Sequence, residues 1–320
     1  MSLGIVTRKF NRSKLPGATT LIDGIPVTYK PGTPRYVDGA VSANRSGLTW
    51  DAAHSTIQAA VDAAARGDTL YIRPLALGSY YTESVIVPTT LRELSIIGAT
   101  VTKGGSVYQA CTWRNSSNSV DDSALDWRAG HQSIENIHFF SRAAQELGFA
   151  IKAYWNTGSG LNIGSAIVNC GFSADLADHP AAAGLVQSAI RFDSGEGQLV
   201  EGCFFVDCRV AIAAGSTMNA WKELVVKDNI FNGLAANIAA DLFLTDGTNF
   251  ALIGNHFGHT VPSHAAGTMT KYVFVAGGST VTGSASGNFF ASANAGYGTD
   301  NTASSIVRSG NYYNGGLMTS

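Results

Sequence analysis

The chain has 320 residues, 45% of them apolar and 14% charged, with 36 glycines and a formal charge of −2. That apolar share supplies a core and excludes a disordered chain, while charge well below the roughly 25% of ordinary globular domains points to many short strands joined by tight turns. The charge is unevenly placed. Residues 1–35 hold six basic residues against one acid, net +5, and the other 285 hold 15 basic and 22 acidic, net −7, so nucleic-acid binding by the body is not expected.

Residues 1–38 read as an extended N-terminal arm, because Pro16, Gly17, Pro26, Pro31, Gly32 and Pro34 interrupt any regular period. Its Arg8, Lys9, Arg12 and Lys14 are the expected anchoring residues for an acidic partner. Residues 39–320 read as one body. Within it, Ile57, Ala60, Val61 and Ala64 fall at i, i+3, i+4 and i+7. This predicts a helix near 55–65, capped by Ser55 or Thr56 and stopped by Gly67. Strands are expected at Thr69–Pro74, Glu83–Pro88 and Leu94–Gly98, followed by a projecting polar loop over 100–123.

The stretch Trp50–Val87 resembles the entry segment of right-handed parallel β-helix proteins of the pectate-lyase-like superfamily. The matching residues are Thr56–Ala64, reading TIQAAVDAA, then Gly67-Asp68-Thr69, then Tyr81, Glu83, Val85 and Val87. The segment Pro74–Tyr80 is longer than the tight Pro-Gly usual there. The resemblance implies a helix that plugs the mouth of the coil, and an assembly that is more often a homotrimer than a dimer.

From Phe139 onward a repeat dominates. Phe139, Phe172, Phe205, Phe231, Phe257, Phe290 and Tyr313 are separated by 33, 33, 26, 26, 33 and 23 residues. Two positions before each stand Ile137, Cys170, Cys203, Asn229, Asn255, Asn288 and Asn311. One strand and one turn per period of this length is the mark of a β-solenoid. The fold expected is therefore all-β, a right-handed parallel β-helix with an N-terminal capping helix and an extended arm. Cys170, Cys203, Asn229, Asn255, Asn288 and Asn311 form its structural ladder, the asparagines bonding along the axis. After Tyr313 only seven residues remain, and the last coil is expected to need a partner subunit or loops as cover.

Chemistry is harder to place. The nearest two cysteines, Cys203 and Cys208, have four residues between them and no supporting histidine pair, so neither a metal nor a cofactor is expected. His138 and His256 share a repeat position four coils apart, too far to act together. Carboxylates on the outer face are Asp126, Asp193, Glu196, Glu201, Asp228 and Asp246, with Arg191 and Lys227 as cations. Asp126, Asp193 and Asp246 precede their aromatics by 13, 12 and 11 residues and are the weak catalytic candidates. They fall on alternate coils, about 10 Å apart and just beyond the range of a hydrolytic pair.

No stretch reaches the roughly 18–20 apolar residues of a membrane span, and no secretory core is evident. The expectation is a protein made in a host cytoplasm and carried in a virion, without a membrane partner. It resembles capsid decoration or tailspike-like proteins of tailed bacteriophages, a structural role with an enzyme as the weaker reading. The alternatives are a polysaccharide lyase, depolymerase or glycoside hydrolase, and a carbohydrate-binding β-helix presenting Tyr154 and Trp155.

Overall fold

The computed structural model describes residues 19–22, 25–28, 32–76, 78–99, 111–115, 123–142, 149–153, 163–175, 188–206, 208, 210–215, 220–232, 240–258, 271–291, 305–313 and 316–317. They form a parallel β-helix with three sheets, of 12, 10 and 7 strands. It is right-handed, as parallel crossovers almost always are. A representative coil runs Leu199–Glu201 in the first sheet, Phe204–Val206 in the second and Val210–Ala214 in the third. Each strand pairs in parallel with its counterpart one coil on: Leu199 with Val225, Phe205 with Phe231, Ile212 with Leu242.

Alternation within these short strands decides what enters the core. Ile134, Ile167, Val200, Val226 and Leu252 point inward from the first sheet and are fully buried. In the second sheet the repeating aromatics stack face to face. Phe139, Phe172, Phe205, Phe231, Phe257 and Phe290 have successive centroids 4.7–5.4 Å apart and planes within 9°. Each such pair adds about 0.5–1.5 kcal/mol beyond the area it buries. The stack begins earlier than the sequence repeat suggests, since Trp113 lies 5.4 Å from Phe139 and pairs in register with Tyr81.

From Phe172 onward the bend between the first two sheets is held by the residue two places before each aromatic. Asn229, Asn255 and Asn288 each donate from Nδ2 to the next asparagine's Oδ1 at 2.9–3.0 Å, and that oxygen also accepts the donor's backbone N–H. Their amides also reach back to Val200, Val226 and Leu252 O, and that of Asn311 to Ala285 O. Cysteines fill the same role upstream: Cys170 Sγ donates to Ile134 O and Cys203 Sγ to Ile167 O, at 3.8 and 3.7 Å. The thiols are therefore weak donors at carbonyl positions that amides serve further on. Both are free, and burial pushes the Cys203 thiol well up. The turn itself needs left-handed backbone, which explains Asn136, Asn169, Gly202, Asp228 and Gly254, with φ of 52–65°.

The mouth of the coil is plugged by the helix Ile57–Ala63, with Ile57, Ala60 and Val61 buried. The motif residues have defined tasks. Thr56 accepts Ala59 N–H, and the Glu83 carboxylate accepts the N–H groups of Ile57 and Gln58 at 2.9 and 3.0 Å. Burial raises the pKa of Glu83, and those two donors oppose the shift. Asp68 accepts from Thr33 N, Arg35 Nε and Ala65 N, while Tyr81 donates to Arg73 O and accepts from Gly39 N.

Two stretches differ from the sequence reading, and the far end adds a detail to it. The expected arm contains an antiparallel pair, Thr19–Ile22 with Ile25–Thr28, and then Pro34–Val37, which joins the first sheet beside Thr69–Ile72. The Asp-Gly dipeptide at 23–24 between two β-rich runs is a hairpin signal that the proline count obscured. The expected loop over 100–123 includes the strand Cys111–Arg114, whose Cys111 and Trp113 are fully buried. At the far end, Tyr312–Tyr313 pairs with an antiparallel return, Gly316–Leu317. Arg8, Lys9, Arg12, Lys14, Tyr154 and Trp155 lie outside the described residues.

The ladder predicts an asymmetry between amide and thiol rungs. Asn255→Leu strands a buried N–H and a buried carbonyl and should cost about 2–4 kcal/mol in chemical denaturation, whereas Cys170→Val should cost under about 1.5 kcal/mol. Equal losses would show that the amides do not hold the bend.

Candidate functional site

The outer face of the third sheet carries a row set by register alone. Ile86, Asp126, Lys152, Arg191, Ala213, Phe243 and Phe274 occupy one position on successive coils. Their strand neighbours, among them Leu125, Trp127, Ile151, Ile190 and Phe192, fill the core. One carboxylate and two cations thus stand on three adjacent rungs, each step about 4.8 Å.

These charges are held in place. Asp126 is 9% exposed and Lys152 6%. Asp126 Oδ2 accepts from Arg128 Nε at 2.9 Å and Nη2 at 2.5 Å, but its Oδ1 is buried without a hydrogen-bond partner. Arg191 Nε donates to Asp193 Oδ1 at 2.6 Å. The Phe149 ring lies 5.4 Å from Lys152 Nζ and 5.3 Å from the Arg191 guanidinium carbon, near enough for cation–π attraction to both. A buried carboxylate oxygen left unpaired is costly in a folded protein.

The three candidate aspartates therefore do not form a set. Asp126 lies in the row, and Asp193 lies two residues beyond Arg191 at the strand end, two rungs from Asp126. Asp246 sits past the strand Ala240–Leu244, where Oδ1 accepts Thr280 N–H at 2.6 Å and fixes a turn. Glu201 and Asp228 pair with Lys227 at 2.6 and 3.1 Å at the bend between the first two sheets, and these bonds raise the lysine pKa. Sequence counting from the aromatics missed Lys152, Arg128 and Phe149. The signal was present, since AIKA and AIRF are strands of one pattern with a cation at the same place.

Among the described residues no group of three His, Cys, Asp or Glu side chains is arranged to hold a metal ion, and no helix is long and apolar enough to cross a membrane. His138 and His256 are four rungs apart in the second sheet, as the intervening pairs Gly171, Phe204 and Ile230 show. His256 stacks on Phe289 at 4.8 Å, and burial lowers the pKa of His138 to about 4.

No protein-family model matches the chain, and no curated protein does. Solved structures do. A pectin methylesterase from Aspergillus niger in a penultimately deglycosylated form is 13% identical, over 88% of this chain and 87% of that one, with a TM-score of 0.41. Rice weevil pectin methyl esterase is 12% identical, over 90% and 92%, with a TM-score of 0.41. Alginate lyase from Paenibacillus sp. str. FPU-7 is 11% identical, over 88% and 98%, with a TM-score of 0.29. At these values the likeness concerns the coil and assigns no residue a role. The expectation that favoured a non-enzyme is nevertheless corrected: the matched coils are enzymes, and the pattern of acids held against catalysis overlooked the cations in register with Asp126.

Proposed function

We propose that the protein is a polysaccharide lyase that holds an acidic polysaccharide along the outer face of the third sheet. The observation that carries this reading is the Asp126–Lys152–Arg191 row, with Asp193 bonded to Arg191. Lys152 and Arg191 are one rung apart and together neutralise a sugar carboxylate. That withdrawal of charge acidifies the proton on the adjoining carbon and stabilises the enediolate formed when it leaves. Asp193, whose Oδ1 is held by Arg191 and whose side chain is 15% exposed, accepts the proton on Oδ2, while Arg128 fixes Asp126. The neighbouring glycosidic oxygen then leaves, taking the proton from the carboxyl group that had accepted it, which cleaves the chain and leaves a double bond in the sugar. Hydrolysis is less well supported, because Asp126 and Asp193 are two rungs, about 10 Å, apart, and an acid/base pair needs a closer approach.

Incubation with a panel of polyuronates should release unsaturated uronate, seen by its ultraviolet absorbance together with new reducing ends. Arg191→Gln, at a half-buried position, should lower the rate at least about 100-fold while leaving the melt near that of the wild type. Binding without release would leave a carbohydrate-binding module. Neither binding nor release across the panel would refute the reading.

A second reading is a structural virion protein of a bacteriophage, a homotrimer anchored through residues 1–38. Its support is the outward row Ile230, His256, Phe289 and Tyr312 on the second sheet, where Ile230 is 44% and Tyr312 51% exposed. Sedimentation equilibrium should then give three times the 33.4 kDa chain mass. A monomer at all concentrations up to tens of micromolar would remove that support.

A further inference from the structure

The outer face of the second sheet carries a different pair of groups. Phe139 and Phe172 point into the core, so His138, Phe140, Gly171 and Ser173 point away from it. His138 is in register with Gly171 and Phe140 with Ser173, which places Ser173 diagonally from His138 on the next rung. The imidazole spans that diagonal, with Nε2 2.9 Å from Ser173 Oγ.

Glycine at 171 is what permits the contact. A Cβ there would lie 2.5 Å from His138 Nδ1, so any other residue would push the ring away from the serine. The φ of Gly171 is not positive, and the requirement is one of space alone. His138 is 8% exposed, whereas Ser173 is only half-buried. Burial lowers the imidazole pKa to about 4, which keeps the ring neutral at pH 7. One rung before Ser173 in the same outward row is Phe140, stacked on Tyr80 at 5.7 Å, with the Arg114 guanidinium 5.2 Å from the Tyr80 ring. Tyr80 is 37% exposed. A hydroxyl, a neutral imidazole and an exposed aromatic wall are thus assembled on one face.

We propose that Ser173 is a nucleophile and His138 its general base in an esterase site that takes O-acyl esters of sugars or small alcohols, with Tyr80 and Phe140 as the wall. Ser173 Oγ attacks the ester carbonyl carbon while its proton passes to His138 Nε2. The bond from that carbon to the alcohol oxygen breaks, and the departing oxygen takes the proton from Nε2. Water then attacks the acyl-serine and gives a proton to His138. The carboxylic acid leaves as Ser173 Oγ recovers that proton, and no other reactant is consumed.

The test uses the full chain. A fluorophosphonate probe, mapped by peptide mass spectrometry, should form its adduct at Ser173, and p-nitrophenyl acetate should be hydrolysed. Ser173→Ala should abolish the adduct and lower hydrolysis at least 100-fold with an unchanged melt, and His138→Gln should lower it similarly. Should His138→Gln fail to fold, Ser173→Ala alone decides the matter. A wild-type chain that takes no adduct at Ser173, or Ser173→Ala hydrolysing at the wild-type rate, would reduce the pair to a structural hydrogen bond. Neither probe contains a uronate, so this result is independent of the polysaccharide assay.

Discussion

Everything in this molecule depends on each coil returning its bend to the same place. A parallel stack has no hairpin to fix its register, and a slip of one residue would turn every side chain to the opposite face. Here the register is fixed from inside, by a donor two residues before each aromatic from Phe172 onward that reaches a carbonyl of an earlier coil. Asparagine does this from Asn229 to Asn311, and cysteine does it more weakly at Cys170 and Cys203. The aromatic column then packs rung on rung, because its rings have no freedom to sit elsewhere.

A fixed interior gives the exterior its order. Once Leu125 and Trp127 are committed to the core, Asp126 must face out, and the same constraint aligns it with Lys152 and Arg191. His138 meets Ser173 for the same reason, on a different sheet. Neither arrangement could be brought about by local sequence, since the residues of each are 26 to 39 positions apart. The chemistry of the outer rows is thus set by which residues the register brings side by side.

The fold was legible because its signals are repeated. The spacing of Phe139 to Phe290 marks the ring column, and the TIQAAVDAA run marks the plug whose Thr56 and Glu83 close the helix start. Where a signal occurs once it was lost. The pair of strands around Asp23-Gly24 and the strand Cys111–Arg114 each lie in polar or proline-broken surroundings that outweigh a short β pattern. The site was legible only in part. Asp126 stood out as a carboxylate, but counting back from aromatics across loops of unequal length placed it with Asp193 and Asp246 instead of with Lys152. What decides the site is cross-strand register, which a count along the chain does not contain.

The outward Asp126–Lys152–Arg191 row is the surface proposed to meet a ligand. Hydrogen–deuterium exchange with and without a saturating polyuronate oligomer tests this most directly. Protection should concentrate in the strands Ser123–Trp127, Phe149–Ala153 and Ser188–Phe192, and be absent from the chain carrying Arg191→Gln. Protection confined to the first or second sheet, or equal protection in that variant, would contradict it.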